Sequence, residues 1–207
     1  IRSERDGAGD ATGGGVAVHN GSVYVSTGFG ELVSLDAKTG GVRWTQKLNA
    51  TGSGQPTIHG NLVYVVSGDD TGWAIEADSG RVAWQIDGST SVSNVLGAPA
   101  PVVTSELAVF AFGSGELQGV FRRGGLRRWD ASVLGQRAGR ALSKVDDVTG
   151  SPVVSNGVLY AGSQAGRTIA VNAESGSRLW TINEGAVGPV WPAGDSIFSI
   201  TDRNELV

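Results

Sequence analysis

The chain has 207 residues, of which 33 are glycine, 40% are hydrophobic and 17% are charged, with no cysteine and a formal net charge of −4. This turn-rich, core-forming composition excludes disorder, and the lack of cysteine excludes disulfides and thiolate metal sites. The charge predicts no general affinity for nucleic acid, and no stretch approaches the roughly 20 apolar residues that span a bilayer.

Ile1-Arg2-Ser3-Glu4-Arg5-Asp6 is no signal peptide, and the polar, Gly-rich run to Thr12 has no alternating apolar pattern. Strands are predicted in Gly15-Val16-Ala17-Val18 and Val23-Tyr24-Val25-Ser26, followed by the phrase Asp36-Ala37-Lys38-Thr39-Gly40-Gly41-Val42-Arg43-Trp44. The layout repeats in Pro56-Thr57-Ile58 and Leu62-Val63-Tyr64-Val65-Val66-Ser67, closing with Glu76-Ala77-Asp78-Ser79-Gly80-Arg81-Val82-Ala83-Trp84. Pro101-Val102-Val103 and Leu107-Ala108-Val109-Phe110 lead to a degraded phrase, Val120-Phe121-Arg122-Arg123-Gly124-Gly125-Leu126-Arg127-Arg128-Trp129. Pro152-Val153-Val154 and Val158-Leu159-Tyr160-Ala161 then lead to Asn172-Ala173-Glu174-Ser175-Gly176-Ser177-Arg178-Leu179-Trp180. A last copy starts at Gly188-Pro189-Val190 and reaches Ser196-Ile197-Phe198-Ser199-Ile200, but Val207 comes before any closing phrase.

Short β-branched and aromatic runs bounded by Gly, Asn and Asp read as strands joined by tight turns, four to a unit. Units of about 40 to 45 residues built this way are β-propeller blades. The predicted fold is all-β, a single propeller domain or fragment over 1–207, with four complete antiparallel blades and part of a fifth. Blades are expected at 13–50, 51–90, 98–132, 150–184 and 187–207, with an insertion at 130–150 in which Val133-Leu134 and Ala138 to Leu142 can form a short helix or an ordered loop. Thr39-Gly40, Ser79-Gly80 and Ser175-Gly176 supply the positive φ of the turn. Trp44, Trp84, Trp129 and Trp180 are expected to pack between blades, each with its N–H on a carbonyl.

Candidate chemistry is sparse. His19 and His59 hold the same place in successive repeats and read as hairpin residues. Asp69-Asp70 and Asp146-Asp147 invite a calcium site, but adjacent acids alone rarely make one, since it needs six or more converging oxygens, and no zinc spacing, phosphate loop or nucleophile elbow occurs. Neither cofactor nor metal is expected. Arg122, Arg123, Arg127, Arg128, Arg137 and Arg140 fall within nineteen residues, with Asp130 the one acid among them. They read as a solvated strand and loop, or as an electrostatic docking patch for an acidic protein surface or lipid headgroups.

The repeated phrase resembles that of pyrroloquinoline-quinone-type propellers, usually of eight blades, a group that holds dehydrogenases, sensor domains and the non-enzymatic BamB lipoproteins of outer-membrane β-barrel assembly. Ala98-Pro99-Ala100-Pro101-Val102-Val103, the degraded blade, and Ala141-Leu142-Ser143-Lys144-Val145-Asp146-Asp147-Val148-Thr149-Gly150-Ser151-Pro152 are similar to the BamB family in order and spacing. That resemblance implies a non-catalytic scaffold in the periplasm, at the inner face of the outer membrane of a Gram-negative bacterium. It would bind a BamA-like barrel-assembly protein, offer strand edges to unfolded barrel substrates, and meet the membrane only through an N-terminal lipid whose Cys this chain lacks. The implied partner residues are Leu142, Asp146 and Asp147, together with Val95 and Leu96, where Leu96 stands in place of the family's Arg. Arg137 and Arg140 join them from the basic cluster. The alternatives are a small-molecule or polysaccharide-binding or sensor propeller, and a fragment of a quinone-dependent dehydrogenase, against which stands the missing vicinal Cys pair.

Overall fold

The computed structural model describes residues 14–51, 53–89, 98–133, 148, 150–164, 166–201 and 203–207. Every regular element among them is a strand. The first sheet holds β1 (Val16–His19), β2 (Ser22–Thr27), β3 (Glu31–Asp36) and β4 (Val42–Lys47); the second holds β5 (Thr57–His59), β6 (Leu62–Val66), β7 (Thr71–Glu76) and β8 (Val82–Asp87). The third contains β9 (Val102–Val103), β10 (Leu107–Ala111), β11 (Glu116–Phe121) and β12 (Arg127–Ser132), and the fourth β13 (Val153–Ser155), β14 (Val158–Ser163), β15 (Arg167–Asn172) and β16 (Arg178–Ile182). A two-stranded unit, β17 (Trp191–Ala193) and β18 (Ser196–Phe198), follows, extended by a bridge between Ile200 and Leu206. Each sheet is antiparallel and keeps chain order, so the fold is all-β and each repeat forms one blade.

The core lies between sheets. One cluster joins Tyr24, Leu32 and Leu48 of the first blade to Val63, Val65 and Ile75 of the second. A second joins Tyr64, Val66 and Ala74 to Ala108, Phe110 and Val120; a third joins Leu107, Val109 and Leu117 to Leu159, Ile169 and Val171. Alternation along β6 sends Val63 and Val65 to one neighbour and Tyr64 and Val66 to the other, as period-2 geometry demands of a sheet covered on both faces. β1 runs beside β5 and β5 beside β9, so the first strand of each blade is innermost. Where a sheet face has no described neighbour the same pattern is left open: Val16 and Val18 are exposed in the first blade, Trp191 and Leu206 in the last.

One device recurs in all four complete blades. The register between the last two strands shifts by one residue, at Ser34/Leu35, Ala74/Ile75, Gly119/Val120 and Ala170/Val171. Arg43, Ala83, Arg128 or Leu179 is thereby the unpaired bulge residue just before the Trp. The Trp then sits opposite Ser34, Ala74, Gly119 or Ala170, all small. At Gly119 a Cβ would lie 2.2 Å from the Trp129 ring, so no side chain fits there.

The turn before the bulge is built by the acid or amide that opens the phrase. Asp36 Oδ1 accepts the amides of Lys38 and Thr39 at 3.0 and 2.9 Å, while Oδ2 meets Arg43 at 2.6 Å. Asn172 Oδ1 accepts from Glu174 and Ser175 in the same way, an Asx turn that frees the following Gly to take positive φ. In the third blade Phe121 replaces the acid, and the Arg128 guanidinium lies over its ring at 5.5 Å. The Arg43 guanidinium and then the two amides hold the Asp36 carboxyl far below the usual carboxylate range; Ser79 and Arg81 do the same more mildly for Glu76. A depressed folded value means a contribution fully present above the unfolded pKa of about 4 and lost as pH falls toward the folded value. The Lys38 and Thr39 amide resonances should therefore titrate with a midpoint below that of a free Asp; a midpoint at the ordinary value would contradict the turn's chemistry.

Candidate functional site

In an antiparallel blade of four strands in chain order, the first and third turns lie at one end, while the second turn and the link to the next blade lie at the other. The links from β8 to β9 and from β12 to β13 therefore leave adjacent blades at the same end. Val95, Leu96, Arg137, Arg140, Leu142, Asp146 and Asp147, with the candidate helix at Ala138 to Leu142, lie in these two links and outside the described residues. Their stems are described, and they are firmly held.

The Gly88 amide donates to Asp70 O at 2.8 Å, and a Cβ on Gly88 would stand 2.4 Å from the Phe112 ring. Ser89 N donates to Glu116 Oε2 at 2.9 Å, and Gln118 Nε2 bridges Asp87 O and Glu116 Oε1 at 3.2 and 2.9 Å. Asp70 is buried, and its Oδ1 accepts the Gly113 amide at 2.9 Å, tying the second blade to the third. On the other link Val133 and Val148 are both fully buried in the third core cluster, and Val133 N donates to Gly115 O at 2.9 Å. Two links are thus anchored side by side on a rigid base, the arrangement in which loops carry recognition. The stem residues Asp70, Phe112 and Glu116 carry no signal in the sequence, because each belongs to a short turn whose relation to the next blade is invisible along the chain.

The indole N–H of Trp44 donates to Ala77 O at 2.8 Å, that of Trp84 to Arg122 O at 3.0 Å, and that of Trp129 to Ala173 O at 3.2 Å. The acceptor is the same residue of the phrase each time, one blade on. Trp180 packs on Tyr160 with ring centroids 5.9 Å apart. The basic cluster is divided: Arg122 and Arg123 sit in the turn before β12, Arg127 is exposed on β12, and Arg128 turns back over Phe121 and donates to Glu174 O at 2.7 Å. His59 is exposed at its hairpin, and the Ser67 hydroxyl donates to Asp69 at 2.5 Å. Among the described residues no three His, Cys, Asp or Glu side chains are grouped to hold a metal ion.

A family model described as outer membrane protein assembly factor BamB matches residues 3–207. BamB of Yersinia pestis is 23% identical over 194 residues, which are 94% of this chain and 49% of that protein; BamB of Escherichia coli K12 is 25% identical with the same coverage. The chain spans about half the length of the curated relatives it matches. Among solved structures, BamB from Moraxella catarrhalis is similar with a TM-score of 0.83 at 21% identity, covering 94% of this chain and 59% of that one. Quinohemoprotein alcohol dehydrogenase from Comamonas testosteroni is similar with a TM-score of 0.72 at 14% identity, covering 93% and 40%. At such identities these likenesses carry the β-propeller fold and nothing finer.

Proposed function

The chain belongs to the family of the outer membrane protein assembly factor BamB, and on that premise we propose that it is a non-catalytic scaffold in the assembly of outer-membrane β-barrel proteins. The observation that carries the reading is the pair of links anchored at one end of adjacent blades, on stems tied by Asp70, Glu116, Val133 and Val148. Its work is binding. Val95 and Leu96 on one link, with Arg137, Arg140, Leu142, Asp146 and Asp147 on the other, form the surface for a BamA-like barrel-assembly protein in the periplasm. Apolar Val95, Leu96 and Leu142 together with charges of both signs have the composition of a partner patch, with the charges acting mainly on association rate. Unfolded barrel substrates would add as strands to exposed sheet edges.

Reversing the charge of Asp146 and Asp147 together should reduce capture of the BamA-like protein about tenfold or more in a pull-down, with the melting temperature unchanged. Intact capture would remove these residues from the patch. The likeness to quinohemoprotein dehydrogenases supplies the competing reading, an oxidoreductase unit; alcohol oxidation dependent on added pyrroloquinoline quinone would overturn the scaffold.

A further inference from the structure

The internal repeat provides its own control for one site at the opposite end of the blades. In the turn before the outer strand, the second and fourth blades carry Glu76-Ala77-Asp78 and Asn172-Ala173-Glu174, whereas the third carries Phe121-Arg122-Arg123. The small residue, Ala in the first, second and fourth blades, has become Arg, and the next position, an acid in the second and fourth blades and Lys38 in the first, carries a second Arg. This turn faces the hairpin of the second blade across a cleft of about 800 Å³. Asn61, Leu62 and Tyr64 line it on one side, Phe121, Arg122 and Arg123 on the other, with His59 and Glu106 also at its walls.

The two arginines on this wall differ in exposure, Arg122 half-buried and Arg123 exposed. One amino group of Arg122 donates to Ser105 O, while its Nε and the Tyr64 hydroxyl beside it are both buried. In the preceding junction Ala77 O accepts from both Trp44 and Tyr24, at 2.8 and 3.4 Å; here the matching carbonyl, that of Arg122, accepts from Trp84, and the Tyr64 hydroxyl lies against the Arg122 side chain instead. Burial pushes the Tyr64 phenol up to about 12, against the charge and hydrogen bond of the Arg122 guanidinium. Tyr64 is wholly buried and Arg122 partly so, while Arg123 is exposed, so an incoming group meets the arginines and not the hydroxyl.

Two guanidinium groups on one wall match a carboxylate, and Leu62 and Phe121 offer apolar wall for what the carboxylate is attached to. Glu106 offsets one of the two arginines, which favours a monoanion over a phosphate dianion. We propose that this cleft binds the side-chain carboxylate of an extended acidic peptide segment flanked by apolar residues. It lies at the other end of the blades from the proposed partner links, so both surfaces can be occupied together, and it does not depend on the partner reading.

The test is fluorescence polarisation with a labelled, end-blocked peptide Gly-Phe-Glu-Phe-Gly and its Gln counterpart. The chain should bind the Glu peptide about tenfold tighter than the Gln one, a ratio typical of one charge-assisted contact. Arg122→Ala with Arg123→Asp restores the residues the second blade holds there, so the fold should survive, as a thermal melt will verify, while the ratio falls to about one. Equal binding of the two peptides by the parent chain, or an unchanged ratio in the double variant, overturns the proposal. Acetate should displace the peptide at lower concentration than inorganic phosphate does; the reverse order would assign the cleft to phosphate groups and overturn the carboxylate.

Discussion

Trp129→Ala should lower the stability of the chain by about 4 kcal/mol, the usual cost of removing a large buried aromatic side chain. For a domain of this size that corresponds to a fall of about 8 to 16 °C in melting temperature. Trp129 is only 7% exposed, belongs to the cluster between the third and fourth blades, and donates to Ala173 O. The backbone at Gly176 closes over its ring so tightly that a Cβ there would stand 2.7 Å away. No large side chain can move in to refill the space, since Gly119 lies opposite and Gly176 above. Trp180 occupies the same place in its own blade, but the following unit has two strands and no turn to receive it among the described residues. Trp180→Ala should therefore cost about half as much or less. Thermal or denaturant melts of the two variants decide the matter; equal losses would mean that the Trp stabilises its own sheet rather than the junction.

That contrast bears on how far the fold can be read along the chain. The phrase Asp36 to Trp44 marks a blade wherever it is intact, because every part of it acts locally. The carboxylate builds the turn, Gly40 takes a φ of 71°, and the bulge at Arg43 aims the Trp. The third blade shows that these roles are separable. Its phrase has lost the acid and the small residue, yet β9 to β12 form the same sheet, with Gly125 at a φ of 69° and Arg128 stacked on Phe121 in place of the Arg43–Asp36 pair.

Relations between blades were far less legible. Six arginines within nineteen residues read as one basic patch, but the bulge turns Arg128 back over Phe121 while Arg122 faces the second blade. The clue to the cleft was present as a departure, Arg where Ala37, Ala77 and Ala173 stand. What lay hidden was its partner across the junction, Tyr64, some sixty residues earlier in the chain and on a strand that reads as plain core. The link that carries Asp146 stood out for the opposite reason: it breaks the period, and a break in a regular fold is visible without its geometry, whereas Val95 and Leu96 were singled out by the family resemblance alone.

The second large effect separates backbone conformation from packing. Gly40 and Gly80 hold the same position in successive turns, with φ of 71° and 74°. An L-residue in that region costs about 1 to 2 kcal/mol. Gly40→Ala should cost that and no more, because a Cβ there has nothing within 4 Å. Gly80→Ala carries a second penalty: its Cβ would lie 2.7 Å from Cδ2 and 2.8 Å from Cε3 of Trp44. Trp44 cannot yield easily, since its N–H is fixed on Ala77 O and its ring leans on Tyr24 with centroids 5.9 Å apart. Overpacking of this kind adds about 1 to 3 kcal/mol, so Gly80→Ala should be the costlier by that margin. In a chain that already carries Trp44→Ala the clash is gone, and Gly80→Ala should fall back to the cost measured at Gly40. The resulting double-mutant coupling, about 1 to 3 kcal/mol, would measure directly how each blade's turn clamps the Trp of the one before. A Gly80→Ala cost that is the same with and without Trp44 would show instead that the glycine is there for its φ alone.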